Sequence, residues 1–305
     1  MELQARGQNN ISCIVDVPVS VVAPSGALIQ DLSNSSFIPK AKAPVPILQA
    51  RYDTGPRRIV FVIDHDSQLN RAGAAIATAV LDRILMNARE GDSFGLTSSG
   101  DDAVSMALSD PQTTLSISRE LLARHLPRSS YVGLVDAISN ASALFRSRQL
   151  GDAVVLFSTT DELQSGKAHF HSLYSSLLRQ RVRVFTVLMG PPFPGTIPRE
   201  FGSQHVLAAP ETATYLTWGT GGYVLPENTH DSQREFIVSD ANLKAVAALG
   251  WQIYGAIAQV YDLKLQTDPS NTRLPWTLDL SPEIRSKKRN ALLVYPRTVP
   301  SCRDN

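Results

Sequence analysis

The sequence predicts a three-layer, doubly wound α/β domain with a small accessory β module formed from the N-terminal and C-terminal strands. Residues 59–63 (IVFVI) are apolar at every position, which is typical of a central parallel strand covered by helices on both faces. From Arg58 onward strands alternate with amphipathic helices, and this order favours parallel strands joined by right-handed crossovers. Apolar and polar residues alternate at both chain ends, which predicts the β module.

The first 56 residues are predicted to form an N-terminal β segment. Residues 11–22 (ISCIVDVPVSVV) alternate in polarity and are rich in Val and Ile, and Pro18 favours an edge position for this strand. Residues 31–46 are dominated by Ser, Asn, Pro, Lys and Ala, a composition typical of an irregular loop. Residues 47–52 offer a second short strand.

The predicted α/β domain covers residues 57–260. Its helices are predicted from apolar residues at helical spacing and its strands from short β-branched runs. In chain order we expect a strand at 59–63, a helix at 69–89, a hairpin of strands at 94–97 and 104–108, a helix at 134–145, a strand at 153–157, a helix at 170–179, a strand at 182–189, a short helix at 211–218, a short strand at 223–225 and a long helix at 243–258.

Residues 261–305 are predicted to return to β structure and to pack against the N-terminal segment. Three strands are expected, at 261–266, 276–280 and 291–295. The basic residues 285–289 between the last two strands are interpreted as a solvated hairpin loop.

Composition excludes several classes of function. With 305 residues and 43% hydrophobic composition, the chain can bury a full core. Lys and Arg number 29 against 28 Asp and Glu, so no overall positive field favours nucleic acid as a partner. No apolar run approaches the roughly 20 residues of a transmembrane helix. The polar residues 1–10 predict that this chain carries no signal peptide.

Polar side chains follow the central strand at its carboxyl end. Asp64, Asp66 and Gln68 stand there, at the sheet edge where open α/β folds bind ligands. Two nearby carboxylates either hold a hard cation or cap the following helix and bind loop amides, and we favour the second interpretation.

An enzymatic interpretation starts from the same residues. The segment 61–68 (FVIDHDSQ) resembles the strand and Asp-x-Asp motif of haloacid-dehalogenase phosphatases. In that family the first aspartate attacks phosphorus, the second is the general acid and base, and magnesium neutralises the phosphate. The first Lys after Asp64 is Lys167, and the strand after it ends at 189–191 (MGP) without an acid. A metal-dependent phosphohydrolase using Asp64 and Asp66 is therefore the alternative, not the preferred function.

A second resemblance extends over about the whole chain and is carried by several segments. They are residues 17–37 (VPVSVVAPSGALIQDLSNSSF), 57–64 (RRIVFVID), 131–138 (YVGLVDAI), 154–162 (VVLFSTTDE), 181–190 (RVRVFTVLMG), 220–228 (TGGYVLPEN), 251–266 (WQIYGAIAQVYDLKLQ) and 290–297 (NALLVYPR). Together they resemble the bacterial proteins related to the von Willebrand factor A family. The resemblance implies a Rossmann-like domain, binding or adhesion to a protein or surface ligand, and a secreted or periplasmic location.

The same resemblance implies a place for a divalent cation such as magnesium or calcium. In that family Asp-x-Ser-x-Ser, a Thr and an Asp from three loops hold the ion, and hard cations favour such oxygen ligands. The first Asp matches Asp64, whereas Asp66 and Gln68 occupy the Ser positions and Thr159 the final Asp position. The Thr position falls at or next to Val132. One matching position in five predicts a degenerate metal-ion-dependent adhesion site.

Nearby residues could compensate for the missing ligands. Asp66 and Asp161 would supply carboxylates, and Ser129 or Ser130 a hydroxyl. We expect Ser129, Ser130 and Thr159 to line the ligand-binding edge of a non-catalytic protein.

Cys13 and Cys302 are the two cysteines of the chain. They are too few for a disulfide framework or a zinc site, and two unpaired thiols are the simplest interpretation. The exported location that the family resemblance implies favours a second one, in which a disulfide joins the two terminal β segments.

Overall fold

The structure is a computed structural model that describes residues 13–23, 29–64, 71–100, 103–123, 133–158, 163, 167–189, 212–222, 224–225, 240–268, 274–288 and 291–302. The strands are β1 (Cys13–Val22), β2 (Phe37–Ala41), β3 (Ile47–Asp53), β4 (Arg58–Ile63), β5 (Ser93–Ser98), β6 (Ser105–Ser109), β7 (Ala153–Ser158), β8 (Arg183–Leu188), β9 (Val224–Leu225), β10 (Val260–Thr267), β11 (Leu274–Leu280), β12 (Leu292–Val294) and β13 (Thr298–Val299). The helices are α1 (Arg71–Met86), α2 (Pro111–Ala123), α3 (Leu134–Ala143), α4 (Lys167–Gln180), α5 (Ala213–Thr220), α6 (Asp240–Ala258) and α7 (Pro282–Lys287).

The largest sheet has six strands in the order β6-β5-β4-β7-β8-β9. β4 lies inside it and pairs in parallel with β5 on one side and β7 on the other. β6 is antiparallel to β5 and forms one edge, as the predicted hairpin requires. Because the chain passes from β4 to β5 and later returns to β7, the strand order reverses direction at β4.

Helices cover both faces of this sheet. Ile59, Phe61 and Ile63 of β4 pack in one core with apolar residues of α1, α2 and α6. Val60 and Val62 point the other way and pack in a second core with α3, α4 and α5. These side chains are fully buried, and each contributes about 2 kcal/mol of hydrophobic free energy. The predicted three-layer α/β fold and its central strand are confirmed.

The two ends of the chain form the accessory β module. One sheet has the order β12-β1-β10-β3 and the other β13-β11-β2, so each sheet combines N-terminal and C-terminal strands. A third hydrophobic core belongs to the module and includes Val15, Val17, Tyr261 and Trp276. The predicted β module is thereby confirmed.

The expectation that Pro18 places its strand at an edge is wrong. β1 lies between β10 and β12. The described pairing of β12 involves residues 20–22 of β1, whereas Pro18 pairs with Asp262 of β10. At Pro18 the structure therefore describes a neighbouring strand, β10, on one side of β1. The missing backbone N–H of a proline is tolerated at such a position.

Residues 37–41 form β2 instead of the irregular structure that their composition suggests. β2 pairs with β11, from Phe37 opposite Leu280 to Ala41 opposite Trp276. This pairing joins residues far apart in the chain, so local composition carries little sign of it.

Residues 282–287 form α7, not a hairpin loop. Ser281 precedes the helix and accepts a hydrogen bond from Ile284 N through its Oγ, and Pro282 is the first helical residue. A serine N-cap followed by proline is a known helix start.

Helix α2 was not predicted either, although Asp110 precedes it and accepts from Gln112 N and Thr113 N.

Cys13 and Cys302 form a disulfide, with their Cα atoms 6.0 Å apart. Cys13 pairs in register with Thr267, whose Oγ1 lies 3.7 Å from the Sγ of Cys302. The interpretation as two unpaired thiols is therefore wrong, because both cysteines of the chain are bonded.

The amino edge of the central sheet meets the β module at Arg183, the first residue of β8. Its guanidinium is fully buried. Nη1 donates to Ser20 Oγ of β1 at 2.8 Å, and Nη2 donates to the carbonyl of Ala256 at 3.0 Å, near the end of α6. The last carbonyls of a helix lack intrahelical partners and carry the negative end of its dipole, so a cation stabilises them. Burial and the nearby Arg57 guanidinium lower the pKa of Arg183 to about 9.

Arg57, the residue before β4, supports the same junction. Its Nη2 donates to the carbonyl of Ala258, the last residue of α6, at 3.1 Å. Its Nη1 donates to Asp53 Oδ2 of β3 at 2.7 Å and to the carbonyl of Leu150 at 3.1 Å. Two buried arginines thus join the end of α6, the module and the amino edge of the sheet.

Among the described residues, no helix combines the length and the apolar character needed to cross a membrane.

Candidate functional site

Asp64 directly follows β4 at the carboxyl edge of the sheet. Its backbone N–H donates to the carbonyl of Phe157 in β7 at 2.9 Å, so the backbone ladder between β4 and β7 extends to this residue. The residue is 2% exposed. Because strand order reverses at β4, Asp64 stands at the switch point of the sheet, where open α/β folds place their ligand sites.

Two serine hydroxyls hold the carboxylate of Asp64. Ser99 Oγ donates to Oδ1 at 3.0 Å, and Ser158 Oγ donates to Oδ2 at 2.6 Å. Ser99 follows β5 and Ser158 ends β7, and both residues are fully buried. The ends of three adjacent parallel strands therefore contribute to one polar cluster.

Two further hydroxyls fix the end of β5 and the residue that precedes β6. Thr97 Oγ1 donates to the carbonyl of Ala137 in α3 at 3.1 Å, and Ser98 Oγ accepts from Val104 N at 2.9 Å. The backbone N–H of Ser99 donates to the carbonyl of Ile63 at 3.1 Å. These bonds fix the backbone from which Ser99 reaches Asp64.

A half-exposed pair lies in the first turns of α3 and α4. His169 Nε2 is 3.2 Å from Asp136 Oδ1, with side-chain exposures of 50% and 51%. Both helices begin at the carboxyl side of the sheet, since α4 follows β7 and the Ala137 carbonyl receives Thr97 at the end of β5. The pair adds exposed polar groups on the side of the sheet where Asp64 lies.

The donor set around Asp64 is chemically suited to a hard cation. One carboxylate and two hydroxyl oxygens are the types of ligand that magnesium and calcium accept. In this arrangement, however, both hydroxyls direct their protons at the carboxylate. Within the described ranges, no group of three or more His, Cys, Asp and Glu side chains could hold a metal ion.

The structure describes one of the residues that the sequence nominated for the site. Asp64 lies at the predicted edge. The others lie outside the described residues, and their roles stay predictions: Asp66, Gln68, Ser129, Ser130, Val132, Thr159 and Asp161. Sequence reasoning missed Ser99 and Ser158. Their signal is positional, because each stands at the carboxyl end of a strand next to β4.

The geometry of Asp64 does not favour the phosphohydrolase alternative. A nucleophilic aspartate must present an oxygen to phosphorus. Asp64 is buried, and each of its carboxylate oxygens accepts a hydrogen bond from a serine.

Comparison with known proteins gives similar structures only. No protein-family model matches the chain. No curated protein matches it.

Three solved structures illustrate the similarity. A von Willebrand factor type A protein from Catenulispora acidiphila has 11% identity and a TM-score of 0.46, covering 90% of this chain and 76% of its own. An aerotolerance-related membrane protein from Bacteroides fragilis has 15% identity and a TM-score of 0.43, covering 65% and 98%. The conserved hypothetical protein BatB from Bacteroides thetaiotaomicron has 14% identity and a TM-score of 0.39, covering 63% and 96%.

These TM-scores are below 0.5, so the fold class rests on the strand order and the layers described above. In fold, the chain is similar to von Willebrand factor A domains.

Proposed function

We propose that the protein binds a protein or surface ligand, without catalysis, at the carboxyl edge of its central sheet. The observation that carries this proposal is the position of Asp64. Its carboxylate lies at the switch point of the sheet and is fixed by serines from both neighbouring strands. Asp64 is buried, so it supports ligand binding by fixing the strand ends around it, at the edge where open α/β folds bind ligands.

We further propose that the site is a degenerate metal-ion-dependent adhesion site. Asp66 and Gln68 replace the two serines that the family motif places after Asp64. The hydroxyls of Ser99 and Ser158 stabilise the Asp64 carboxylate through charge-assisted hydrogen bonds. With these two donors in place, ligand binding does not depend on a divalent cation.

We also propose that the protein works outside the cytoplasm, secreted or in the periplasm. The Cys13–Cys302 disulfide supports this location, because disulfides persist in oxidising compartments and are rare in the cytosol.

A binding panel tests the proposed site. Wild-type protein would be immobilised and exposed to purified extracellular proteins and cell-surface glycans in biolayer interferometry. We expect a panel member to bind wild type and to lose at least about tenfold in affinity, about 1.4 kcal/mol, with Asp64→Ala. Asp110→Asn, at the opposite edge of the sheet, is the matched control and should bind like wild type. Equal binding by wild type and Asp64→Ala, or no binding to any panel member, would contradict the proposal.

Two further measurements separate the metal and enzyme alternatives. Titration calorimetry with magnesium, manganese and calcium should give no binding heat, and chelation should leave ligand affinity unchanged. Heat that disappears in Asp64→Asn would overturn the degenerate site. Turnover of a generic phosphate ester, abolished by Asp64→Asn, would overturn the non-catalytic function.

A further inference from the structure

The outer face of the sheet β13-β11-β2 carries exposed lysines. Side chains alternate along a strand, so Trp276 and Leu278 of β11 enter the core of the module and Thr277 between them points outward. Lys40 of β2 stands opposite Thr277 in the strand pairing, and its side chain is 65% exposed. Lys42, just after β2, is exposed as well. Two lysines thus lie on the solvent side of this sheet.

Helix α7 adds three cations beside these lysines. Arg285, Lys287 and Lys288 are exposed, and the side chains of the first two are 66% and 63% exposed. No residue of α7 is buried, so the helix projects from the module. Arg285 and Lys40 both pair with Asp279 of β11, which places the cations of the helix next to those of the strand.

The five exposed cations form one basic patch, made of Lys40, Lys42, Arg285, Lys287 and Lys288. Two carboxylates, Asp279 and Glu283, lie among them, which leaves the patch with a net charge of +3. The whole chain has a net charge of +1, so all its other residues together carry −2. Among the described residues, no carboxylate pairs with Lys42 or Lys288. Positive charge is thus concentrated on one surface of a molecule that is otherwise slightly acidic.

The basic patch lies on the side of the module opposite the α/β domain. The sheet β12-β1-β10-β3 packs on the module core with one face and meets the domain with the other, where Ser20 of β1 binds Arg183 of β8. The sheet β13-β11-β2 covers the other side of the same core. Within it, β13 is the strand next to a contact with the domain, from Arg297 N to the carbonyl of Trp218 in α5, and β2 is the edge strand farthest from β13. The patch therefore faces away from the domain.

We propose that the basic patch docks the protein on the anionic phospholipid surface of a membrane. Each Lys or Arg close to such a surface raises the affinity about fivefold. The patch spreads its cations over a strand and a projecting helix. This shape fits a plane of headgroups, whereas a linear polyanion is held in a groove that follows its backbone.

Docking by the basic patch also orients the α/β domain. β8 begins at Arg183, beside the module, and runs for six residues toward the carboxyl edge of the sheet, which is about 20 Å. The carboxyl edge with Asp64 therefore lies on the far side of the domain from the bilayer. Membrane docking and ligand binding would use opposite ends of the molecule, and neither depends on the other.

Vesicle flotation with the full chain tests the docking. One set of vesicles would contain phosphatidylglycerol in phosphatidylcholine, and the other phosphatidylcholine alone. At low salt the protein should float with the anionic vesicles and not with the neutral ones. It should be released at about 1 M NaCl, where the Debye length falls to about 3 Å. No binding to the anionic vesicles, or equal binding to both sets, would overturn the proposal.

A double substitution tests whether the basic patch makes the contact. Lys42→Gln with Lys288→Gln should weaken binding to the anionic vesicles about 25-fold, because two cations at about fivefold each are lost. Both lysines are exposed, and circular dichroism would check that the variant is folded. The matched control, Arg148→Gln with Lys244→Gln, removes the same charge from exposed positions of the α/β domain and should bind like wild type. Equal losses in the two variants would overturn the proposal, because net charge alone would then explain the binding.

Competition with polyphosphate separates a membrane from a linear polyanion. At equal phosphate concentration, the wild-type protein should bind the anionic vesicles at least about tenfold more tightly than long-chain polyphosphate. Tighter binding to polyphosphate would overturn the proposal in favour of a linear polyanion. None of these measurements uses the Asp64 site, so their outcome is independent of the proposed binding function.

Discussion

The central sheet buries Arg183 at its amino edge and Asp64 at its carboxyl edge, and the two side chains serve different purposes. At the amino edge, the guanidinium of Arg183 binds a helix end and a strand of the β module. At the carboxyl edge, the carboxylate of Asp64 is held by the hydroxyls of Ser99 and Ser158. The first arrangement joins two parts of the molecule. The second fixes one carboxylate where three strands end, which suits a surface that must recognise a ligand.

The largest expected effect concerns the module attached at the amino edge. Replacing both cysteines, Cys13→Ser with Cys302→Ser, should lower the free energy of unfolding by about 4–5 kcal/mol, because the unfolded chain gains the entropy of a long open loop. Urea unfolding measures this loss. Wild type with reductant should show a similar loss, and a change below about 1 kcal/mol would show that the module holds without its covalent link.

The Arg183→Met substitution tests the amino edge directly. It should lower the free energy of unfolding by about 3 kcal/mol, because the carbonyl of Ala256 loses a charged donor in a buried place. The control is Arg181→Met, which removes a neighbouring, partly exposed arginine that pairs with Asp16 at 3.0 Å. That change should cost about 1 kcal/mol or less. Equal losses would mean that the buried Arg183 contributes no more to the free energy of unfolding than a partly exposed arginine does.

The Ser158→Ala substitution is the equivalent test at the carboxyl edge. We expect a loss of about 2 kcal/mol in the free energy of unfolding, because the buried carboxylate of Asp64 loses a hydroxyl donor. Ser118→Ala is the control, since Ser118 is equally buried but donates to the carbonyl of Leu115 in its own helix. It should cost about 1 kcal/mol or less. A smaller effect at Ser158 than at Ser118 would show that the hydroxyl contributes little to holding Asp64.

The smallest effect is a pH dependence at Asp110, an exposed residue on the amino side of the sheet. Hydrogen bonds from the side chain and backbone of Thr113 lower the pKa of Asp110 to about 2. A carboxyl with a lowered pKa in the folded state stabilises that state at pH values above its pKa in the unfolded chain, which is near 4. This stabilisation is lost as the pH falls toward 2. Asp110→Ala should therefore be less stable than wild type at pH 7, and urea unfolding should find the difference reduced at pH 3. A difference independent of pH would contradict this.

Much of the fold could be predicted from sequence because its signals are local. The apolar run in β4 and the helical spacing in α1, α3 and α4 each lie within one element. Residues 37–41 were not recognised as β2 because their partner strand lies more than 200 residues away. The β1 pairing with β12 was hidden for the same reason.

The candidate site was predicted in part. Asp64 was identified because it directly follows the central strand. Ser99 and Ser158 were missed, since finding them requires knowing that β5 and β7 are the neighbours of β4 and how far each strand extends. Sequence order alone places these two serines 59 residues apart, at positions 99 and 158.

The bond between Cys13 and Cys302 also makes the chain a covalent ring of 290 residues, from position 13 to position 302. A single proteolytic cut anywhere inside a ring opens it without separating any part. The cut protein would migrate as one species on a non-reducing gel and as two fragments after reduction. Two cuts are needed before a piece can leave, so the ring protects the protein from loss of material after a first cleavage.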